Sequence, residues 1–590
     1  MKHLLAITSL FLFTHGAVQA QAHVTSVNEG NGAAASYVSH SSLNDKDNDA
    51  HKKASKNKKK KAETIILSDG SVYTGELNKE LPNGAGSIIY ANGDKYTGEF
   101  VDGLCEGNGS IIYANGDKYT GEFANGLYNG NGCIFYANGD MYNGEFVNGH
   151  SHGAGSFLYA NGDMYNGEFV EGRCHGTGNL LYANGDMYSG EFVNGMSHGY
   201  GSVLYAGGDK YTGDFADGLR HGTGSIIYAN GDMYVGEFCK GLCHGVGSVV
   251  YSNGDKYAGE FFEGRRCGKG YMVYVSGEEY DGEFVNGLHD GNGVYKYRNG
   301  DVYKGGFNDG KKSGTGTYIY ADGRKYDGSW ANDLMHGYGR MDYTNGDYYI
   351  GAWASGVRSG NGTYIFHNGA SYAGEWEDDK YNGVGTFVWP DDSKYVGLWK
   401  DSHRHGNGLY ISASGEMYDG IWNNDVFDGN GRYTYADGSI YEGGFKNNLW
   451  HGEGKYVSKD GTIYEGDFKE GKREGHGVMY FVGGAVYDGA WKADVRHGEG
   501  KYTWACGDVY EGCWENDIMH GAGVLSLTDG RRYSGDYVDG IEHGVGVAVG
   551  TDGLCYEGTF VDGQRNGKFI IKDTDGNVLR ECKYSLGIAD

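Results

Sequence analysis

Histidine recurs in this chain at a fixed interval, which makes it the first residue type to consider for chemistry. Imidazole is a common zinc ligand, but a metal ion needs its donor atoms about 2 Å away. If each 23-residue interval contributes two strands, successive histidines are about 10 Å apart and cannot share one ion. The pattern therefore predicts packing rather than metal binding. The eleven positions are His152, His175, His198, His221, His244, His336, His405, His451, His497, His520 and His543.

Glutamate recurs with the same interval and raises the question of calcium binding. The first six positions are Glu76, Glu99, Glu122, Glu145, Glu168 and Glu191. The same spacing of about 10 Å keeps neighbouring carboxylates from sharing an ion. The aspartates of a recurring Asn-Gly-Asp string fall on the opposite face in the register derived below. We therefore expect a solvated acidic stripe.

Two Gly-x-Ser-x-Gly strings, at 149–153 and 195–199, invite comparison with a catalytic serine. A nucleophile elbow requires a turn from a strand into a helix, whereas both strings fall in what we interpret as an ordinary loop between strands. The chain has no Gly-Lys-Ser phosphate loop and no His-Glu-x-x-His string. We predict no catalytic, cofactor-binding or metal-ligating residues, and no enzymatic activity.

The element behind these patterns is a 23-residue repeat. A Tyr-x-Gly triplet begins at Tyr73 and returns every 23 residues as far as Tyr556, in twenty-two copies without insertion or deletion. Counting this Tyr as position 0, Gly stands at +2 and +11, an aromatic residue is usual at +4, and Gly again at +13. Tyr is usual at +17, followed by Asn-Gly-Asp at +19 to +21. Such a period indicates an array in which each unit packs on its neighbours.

Alternation within the repeat decides between helix and strand. Tyr96, Gly98 and Phe100 share one side only if the side-chain period is two, as in a strand. A two-residue Asn-Gly loop would place Tyr113 opposite Tyr119, whereas a three-residue Ala-Asn-Gly loop with a glycine bulge places them together. We predict the three-residue loop. Glycine beside the rings then gives them room over the backbone.

The strings Tyr96-Thr-Gly-Glu-Phe100, Gly107-Asn-Gly109 and Asn115-Gly-Asp117 resemble the MORN repeat, the "membrane occupation and recognition nexus" motif. The resemblance implies an all-β fold: an elongated single-ribbon array of 23-residue β-hairpin repeats, a solenoid-like rod. Similar repeats accompany junctophilins, plant phosphatidylinositol phosphate kinases, a lysine methyltransferase and protist scaffolds. What these settings share is binding or scaffolding.

One face of such a ribbon carries rows of aromatic rings, which we interpret as candidates to line a binding groove; the alternative is that the rings are only core. The candidates are Tyr96, Phe100, Tyr119, Phe123, Tyr142, Phe146, Trp330, Trp353, Trp376, Trp399 and Trp422. A protein partner, a second copy of the chain forming a homodimer, or acyl chains could cover this face.

The first 63 residues differ from the array in composition. Residues 1–20 have the pattern of a secretory signal peptide, with an uncleaved interfacial anchor as the alternative, and residues 21–63 read as a disordered polar linker. A run of lysines lies near the end of this linker and could contact anionic lipid. A solvated spacer is the simpler interpretation. Its members are Lys52, Lys53, Lys56, Lys58, Lys59, Lys60 and Lys61.

Charge narrows the choice of partner. The whole chain carries a formal charge of −28, and residues 1–63 hold nine lysines against five acidic residues, which leaves −32 for the remainder. Nucleic acid is therefore disfavoured, and a basic protein is electrostatically favoured. Among the ten cysteines, Cys239 with Cys243 and Cys506 with Cys513 are the nearest candidates for a disulfide.

The predicted organisation has three further parts: a half-repeat cap at 64–72, tandem repeats at 73–567, and a closing hairpin and tail at 568–590. We expect an exported, non-enzymatic scaffold, secreted, periplasmic or on the cell surface, that binds proteins along its ribbon. The alternative is a peripheral membrane tether or a module that binds phosphoinositide or other anionic lipid.

Overall fold

The computed structural model describes residues 61–590. The chain divides into two compact units, Met1–Arg298 and Asn299–Asp590. Within residues 61–590 all regular structure is β-strand, and no helix is long and apolar enough to cross a bilayer. The predictions for residues 1–20 and 21–60 lie outside the described residues. Glu63, which the sequence places in the linker, is instead the first residue of a strand.

Twenty-one strands form the described part of the first unit. They are β1 Glu63–Ile66, β2 Val72–Asn78, β3 Leu81–Ile89, β4 Lys95–Val101, β5 Leu104–Ile112, β6 Lys118–Ala124, β7 Leu127–Phe135, β8 Met141–Val147, β9 His150–Leu158, β10 Met164–Val170, β11 Arg173–Leu181, β12 Met187–Val193, β13 Met196–Leu204, β14 Lys210–Ala216, β15 Leu219–Ile227, β16 Met233–Cys239, β17 Leu242–Val250, β18 Lys256–Phe262, β19 Arg265–Val273, β20 Glu279–Val285 and β21 Leu288–Lys296.

Twenty-six strands form the second unit. They are β22 Val302–Asn308, β23 Lys311–Ile319, β24 Lys325–Ala331, β25 Leu334–Asp342, β26 Tyr348–Ala354, β27 Val357–Ile365, β28 Ser371–Glu377, β29 Lys380–Val388, β30 Lys394–Lys400, β31 His403–Ile411, β32 Met417–Asn423, β33 Val426–Thr434, β34 Ile440–Lys446, β35 Leu449–Val457, β36 Ile463–Lys469, β37 Lys472–Tyr480, β38 Val486–Lys492, β39 Val495–Thr503, β40 Val509–Glu515, β41 Ile518–Ser526, β42 Arg532–Val538, β43 Ile541–Val549, β44 Cys555–Val561, β45 Gln564–Lys572, β46 Val578–Ser585 and β47 Ile588–Ala589.

Each repeat is one hairpin, made of a seven-residue strand and a nine-residue strand, as in β4 and β5. In each unit every strand pairs antiparallel with the next along the chain, as β4 does with β5 and β5 with β6. The all-β array of 23-residue hairpins is thereby confirmed. At the ends, β1 pairs with β2, and β46 pairs with both β45 and β47.

The loop between repeats has the predicted three residues. The amide of Tyr113 donates to the carbonyl of Asp117 at 2.8 Å, and the amide of Gly116 donates to the carbonyl of Tyr113 at 3.0 Å. Gly116 takes a φ of +98°, a value that favours glycine. Ile111 then pairs with Tyr119, so that Ile111, Tyr113 and Tyr119 share one face, as predicted.

A second turn closes each hairpin and is tighter than the sequence suggested. Asp102 and Gly103 have φ values of +48° and +90°, a two-residue turn of type I′. Because this turn is so short, the nine-residue strand begins at +8 rather than after the first glycine of Gly-x-Gly. The serine of each Gly-x-Ser-x-Gly string therefore lies in β9 or β13, with only the first glycine in the turn, and our placement of the strings in loops was wrong.

Candidate binding face

The aromatic face of the array comprises repeat positions 0, +4, +9, +15 and +17, and its innermost layer is the Tyr at position 0. In the second copy Tyr96 is 0 % exposed, and its hydroxyl donates to the carbonyl of Glu99 at 3.0 Å. Its ring lies over the cross-strand glycine pair Gly98 and Gly109. A Cβ added at either glycine would be 2.3–2.4 Å from the Tyr96 hydroxyl. The pair is glycine because the ring occupies the side-chain space.

The aromatic residue at +4 links neighbouring repeats. Phe100 meets Tyr96 edge-on, with ring centroids 4.9 Å apart, and meets Tyr73 of the preceding repeat at 5.1 Å. Such pairs add about 0.5–1.5 kcal/mol each beyond the area they bury. The same contact recurs along both units, for example between Tyr395 and Trp422 at 5.3 Å. The rows at 0 and +4 thus form one lattice of rings within each unit.

Burial places the predicted groove-lining rings inside this lattice. All eleven side chains, from Tyr96 to Trp422, are between 0 and 6 % exposed. The indole N–H groups also find partners within the sheet, as when Trp422 donates to the Gly408 carbonyl at 3.0 Å. These rings therefore offer little surface to a partner, and our expectation that they line an open groove is corrected. Other positions of the aromatic face supply its accessible surface.

Position +9 covers the Tyr ring and was missed in the sequence. It pairs with +4 across the hairpin, and its side chain stacks on position 0: Tyr128 lies 3.7 Å from Tyr119, His289 3.7 Å from Tyr280, and Trp450 4.5 Å from Tyr441. Burial, with a smaller contribution from the charge of Arg266, lowers the pKa of His289 to about 4. Its imidazole is therefore neutral at physiological pH.

In the second unit several +9 positions carry arginine, and four of these arginines are held in the same way. Arg404 lies 4.1 Å from the Trp422 ring centroid, and its Nε donates to Asp425 Oδ1 at 3.0 Å. Asp425 stands in the type I′ turn of the next repeat, where most copies of the first unit have glycine. The equivalent trios are Arg358–Trp376–Asp379, Arg473–Trp491–Asp494 and Arg496–Trp514–Asp517. Each trio joins two repeats through a stacked cation and a paired charge.

Rows +15 and +17 form the open side of the aromatic face. In the second unit their rings are half-buried and contact one another between repeats, as Tyr343 does with Tyr364 at 5.7 Å and Phe366 with Phe387 at 5.9 Å. In the first unit position +15 is mostly aliphatic and buried, as at Ile111. This aromatic ladder borders the three-residue loops. It is the part of the face at which aromatic surface is accessible.

The opposite, polar face carries the acidic stripe, and its carboxylates have a structural role that the sequence did not reveal. The register shifts at each Gly-x-Gly, where a bulge leaves a backbone amide facing position +3. Glu168 accepts hydrogen bonds there from the Thr177 amide at 3.2 Å and hydroxyl at 2.7 Å. These two bonds, the hydroxyl's first, lower the pKa of Glu168. The stripe is exposed, as expected, and it also caps the bulges.

The Asn-Gly-Asp loops are tied to one another along the edge of the sheet. Asp117 accepts from Asn115 Nδ2 at 2.9 Å, within its own loop, and from the Ala137 amide of the next loop at 2.7 Å. These aspartates lie on the face opposite the acidic stripe, as predicted. The loop edge is thus a hydrogen-bonded chain from repeat to repeat.

The histidine row lies on strands rather than in loops. His175 stands opposite Glu168 in the β10–β11 pair, and its Nδ1 is 3.0 Å from the carbonyl of Phe192 in the next repeat. In the described part of the chain, no group of three or more His, Cys, Asp or Glu residues is arranged to hold a metal ion.

The cysteines do not form the disulfides considered from the sequence. All ten lie within residues 61–590 and are unpaired. Phe238 pairs with Cys243, and Cys239 pairs with Leu242, so Cys239 and Cys243 point to opposite faces. Lys61, the last residue of the lysine run, is exposed; the other six lysines lie outside the described residues.

A family model described as the MORN repeat matches twenty-two consecutive segments between residues 73 and 568. The chain belongs to the MORN-repeat family. The resemblance seen in the sequence is confirmed, and the hairpins described above are its MORN repeats. No curated protein matches the chain.

Several solved structures match part of this chain, but with low sequence identity and low TM-scores. The TCP domain of Drosophila melanogaster SAS-4, in complex with a proline-rich motif of Ana2, is 16 % identical over 34 % of this chain and 90 % of that chain, with a TM-score of 0.17. The TCP10 domain of Danio rerio CPAP is 11 % identical over 41 % and 93 %, with a TM-score of 0.14. Virginiamycin B lyase of Staphylococcus aureus is 11 % identical over 47 % and 89 %, with a TM-score of 0.10. We draw no argument from scores this low.

Proposed function

We propose that this chain is an exported, non-enzymatic MORN-repeat scaffold that binds protein partners along its aromatic face. The observation that carries the proposal is the composition of the accessible part of that face: half-buried Tyr, Trp and Arg at +9, +15 and +17. These residue types are enriched among the residues that dominate binding energy at protein interfaces. In the second unit Tyr or Phe recurs at +15, so one partner can contact several copies of a similar surface.

The charge of the array supports the choice of partner. Outside residues 1–63 the formal charge is −32, which favours a basic protein and opposes nucleic acid. On the aromatic face four +9 arginines of the second unit are paired with turn aspartates, as in Arg404 with Asp425, which offsets their positive charge. We expect association to weaken as ionic strength rises.

Site-specific photocrosslinking tests the proposal. A photoreactive residue at Tyr364 samples the aromatic ladder, and the same residue at Tyr338, which is 63 % exposed on the polar face, is the matched control. In the native host we expect discrete protein crosslinks from position 364 and few from position 338. Crosslinks from position 338 alone would contradict the assignment of the aromatic face.

The second candidate function is a peripheral membrane tether that contacts anionic lipid, including phosphoinositide, and the lysine run favours it. Seven lysines fall within residues 52–61, directly before the first strand. Liposome flotation of residues 21–590 and of residues 62–590 separates the two origins of binding. Binding lost with the segment or with salt would assign it to lysine electrostatics. Binding retained by the shorter chain would favour lipid recognition by the repeats.

A homodimer covering the aromatic face is a further arrangement of the proposed scaffold. Sedimentation velocity of residues 62–590 over a range of concentrations tests it directly. A concentration-dependent dimer that is lost when Tyr364 is replaced, but not when Tyr338 is replaced, would place the second copy on this face.

A further inference from the structure

One loop between repeats lacks the glycine that the others carry at +20, while keeping their backbone. Residues 389–393 read Trp-Pro-Asp-Asp-Ser, whereas residues 113–117 of an ordinary copy read Tyr-Ala-Asn-Gly-Asp. The Trp389 amide still donates to the Ser393 carbonyl at 2.8 Å, and the Asp392 amide to the Trp389 carbonyl at 3.1 Å. Asp392 holds a φ of +66° where glycine is usual. The changes therefore alter the side chains that the loop presents rather than its path.

The changed loop sequence lacks the buried aspartate that accepts a hydrogen bond from a tyrosine hydroxyl in other repeats. In two other repeats of the second unit, Tyr318 and Tyr364 donate to Asp301 and Asp347, which are buried at the end of the preceding loop. Ser393 occupies that position here.

The Ser393 hydroxyl donates to Asp391 at 2.6 Å. Within residues 61–590 the hydroxyl of Tyr410, which follows this loop, has no hydrogen-bond partner, and the carboxylate has moved to the exposed loop tip.

A pocket of about 430 Å³ lies at this point, lined by Trp389, Pro390, Asp391, Ser393 and Tyr410. The rings of Trp389 and Tyr410 are half-buried and nearly perpendicular, at 80°, with centroids 5.8 Å apart. Hydrogen bonds from the Ser393 hydroxyl and amide lower the pKa of Asp391, so its carboxylate is ionised at physiological pH. The pocket is shallow and open to solvent.

We propose that this pocket binds a quaternary ammonium group such as the trimethylammonium of choline. The face of an indole or phenol ring attracts a cation, and Trp does so most strongly. A quaternary ammonium has no N–H to satisfy, and its methyl groups pack on apolar rings while the Asp391 carboxylate supplies the opposite charge. A hard cation such as Ca²⁺ takes six to eight oxygen ligands, which this lining does not offer.

The test is isothermal titration calorimetry of residues 21–590 with choline chloride and with its neutral isostere 3,3-dimethylbutan-1-ol. We expect choline to bind and the neutral alcohol, which has the same shape without the charge, to bind at least about tenfold more weakly. Equal binding of the two compounds would overturn the proposal, as would the absence of choline binding. Phosphocholine and trimethyllysine, titrated separately, distinguish a headgroup from a modified protein as the natural source.

Two substitutions locate the site without disturbing the fold. Trp389→Leu and Tyr410→Leu introduce a residue that the chain itself uses at the equivalent positions, Leu527 and Leu525. Each keeps apolar bulk and removes the ring face, and we expect each to weaken choline binding about three- to thirtyfold. Unchanged affinity in both variants would overturn the assignment.

Asp391→Asn should weaken choline binding and leave the alcohol unaffected. The matched control is Trp504→Leu, because Trp504 is the other tryptophan at +17 but is followed by Leu525 instead of a tyrosine. Choline affinity should be unchanged in this control. An equal loss there would mean that the effect is general to the aromatic face and would contradict a discrete pocket.

Discussion

The smallest unit of stability in this array is a tyrosine lying on two glycines. Tyr96 is completely buried, because its ring lies on Gly98 and Gly109 and is enclosed by the residues at +4 and +9. The hydroxyl is satisfied by the carbonyl at +3, so a polar tip is buried without an unpaired group. The strict Tyr-x-Gly triplet therefore reflects packing rather than chemistry.

Gly98→Ala should destabilise the second repeat by about 1–3 kcal/mol, the usual range for overpacking. The added carbon would lie 2.4 Å from the Tyr96 hydroxyl and 2.6 Å from the Gly109 Cα, and the second contact is with backbone. Amide hydrogen exchange of residues 95–112 measures the loss locally. Gly207→Ala is the control, because nothing lies within 4 Å of its Cβ position and its φ is not positive. A similar loss in both variants would contradict this packing account.

Asp347 should make the surrounding repeats sensitive to acid. Burial alone would raise the pKa of Asp347, but hydrogen bonds from the His367 amide, the Tyr364 hydroxyl, the His367 ring and Asn345 outweigh it and lower the pKa to about 2. An unfolded Asp titrates near 3.9. The stabilisation is therefore complete above about pH 4 and is lost as the pH falls towards 2.

Asp347→Asn should flatten this dependence, with the stability of the variant varying less between about pH 4 and pH 2. Exchange protection of residues 343–370, corrected for intrinsic rates at about pH 2.5 and pH 5, is the measurement. The exposed Asp419→Asn is the control and should retain the wild-type profile. An unchanged profile in Asp347→Asn would show that this carboxylate is not the titrating group.

At the scale of the hairpin, two turns of different type have different structural roles. The three-residue loop joins repeats and chains their aspartates together, whereas the two-residue turn within each repeat sets where the nine-residue strand begins. In the second unit that turn also supplies aspartates to the arginines of the preceding repeat. The turn thus contributes to contact between repeats as well as to the hairpin itself.

Asp425→Gly should loosen the contact between its repeat and the preceding one. Glycine suits the φ of +70° at this position, so the backbone is not strained, but the bonds from the Arg404 amide and Nε are lost. Since the pair is partly exposed, we expect a loss of about 1 kcal/mol or less. Faster amide exchange at Arg404 is the readout. Glu80→Gly, at the same turn position, is the control and should be neutral or slightly stabilising.

The sequence predicts an element well where only one type of residue fits a position, and poorly where many types fit. The three-residue loop and the face shared by Tyr113 and Tyr119 follow from the pattern, because a slip of one residue would expose every ring. The +9 row does not follow, since many side chains can lie on a tyrosine ring and the position holds residues as different as Cys, Ser, Arg, His and Trp. The carboxylates at +3 look solvated because the bulge that they cap is visible only in the register.

At the scale of the whole molecule, every strand within each unit pairs with the next along the chain, so stability should be close to a sum of repeat and interface contributions. Deleting residues 165–187, one complete MORN repeat of the first unit, should leave the remaining repeats folded. Circular dichroism and exchange protection of residues 96–141 should match the parent chain. Deleting only residues 165–176 removes half a hairpin and should abolish protection around the junction. Equal outcomes for the two deletions would contradict nearest-neighbour packing.

The unbroken 23-residue period has a consequence for any ligand that spans two or three repeats. Such a ligand can bind at many nearly equivalent, overlapping positions along a unit. The number of bound states therefore grows with the number of positions, and the ligand can move from one position to the next without dissociating completely. Only repeats with an irregular sequence make one binding position differ from the others. The Trp-Pro-Asp-Asp-Ser loop at 389–393 is one such irregularity, and it distinguishes a single position in an otherwise uniform array of repeats.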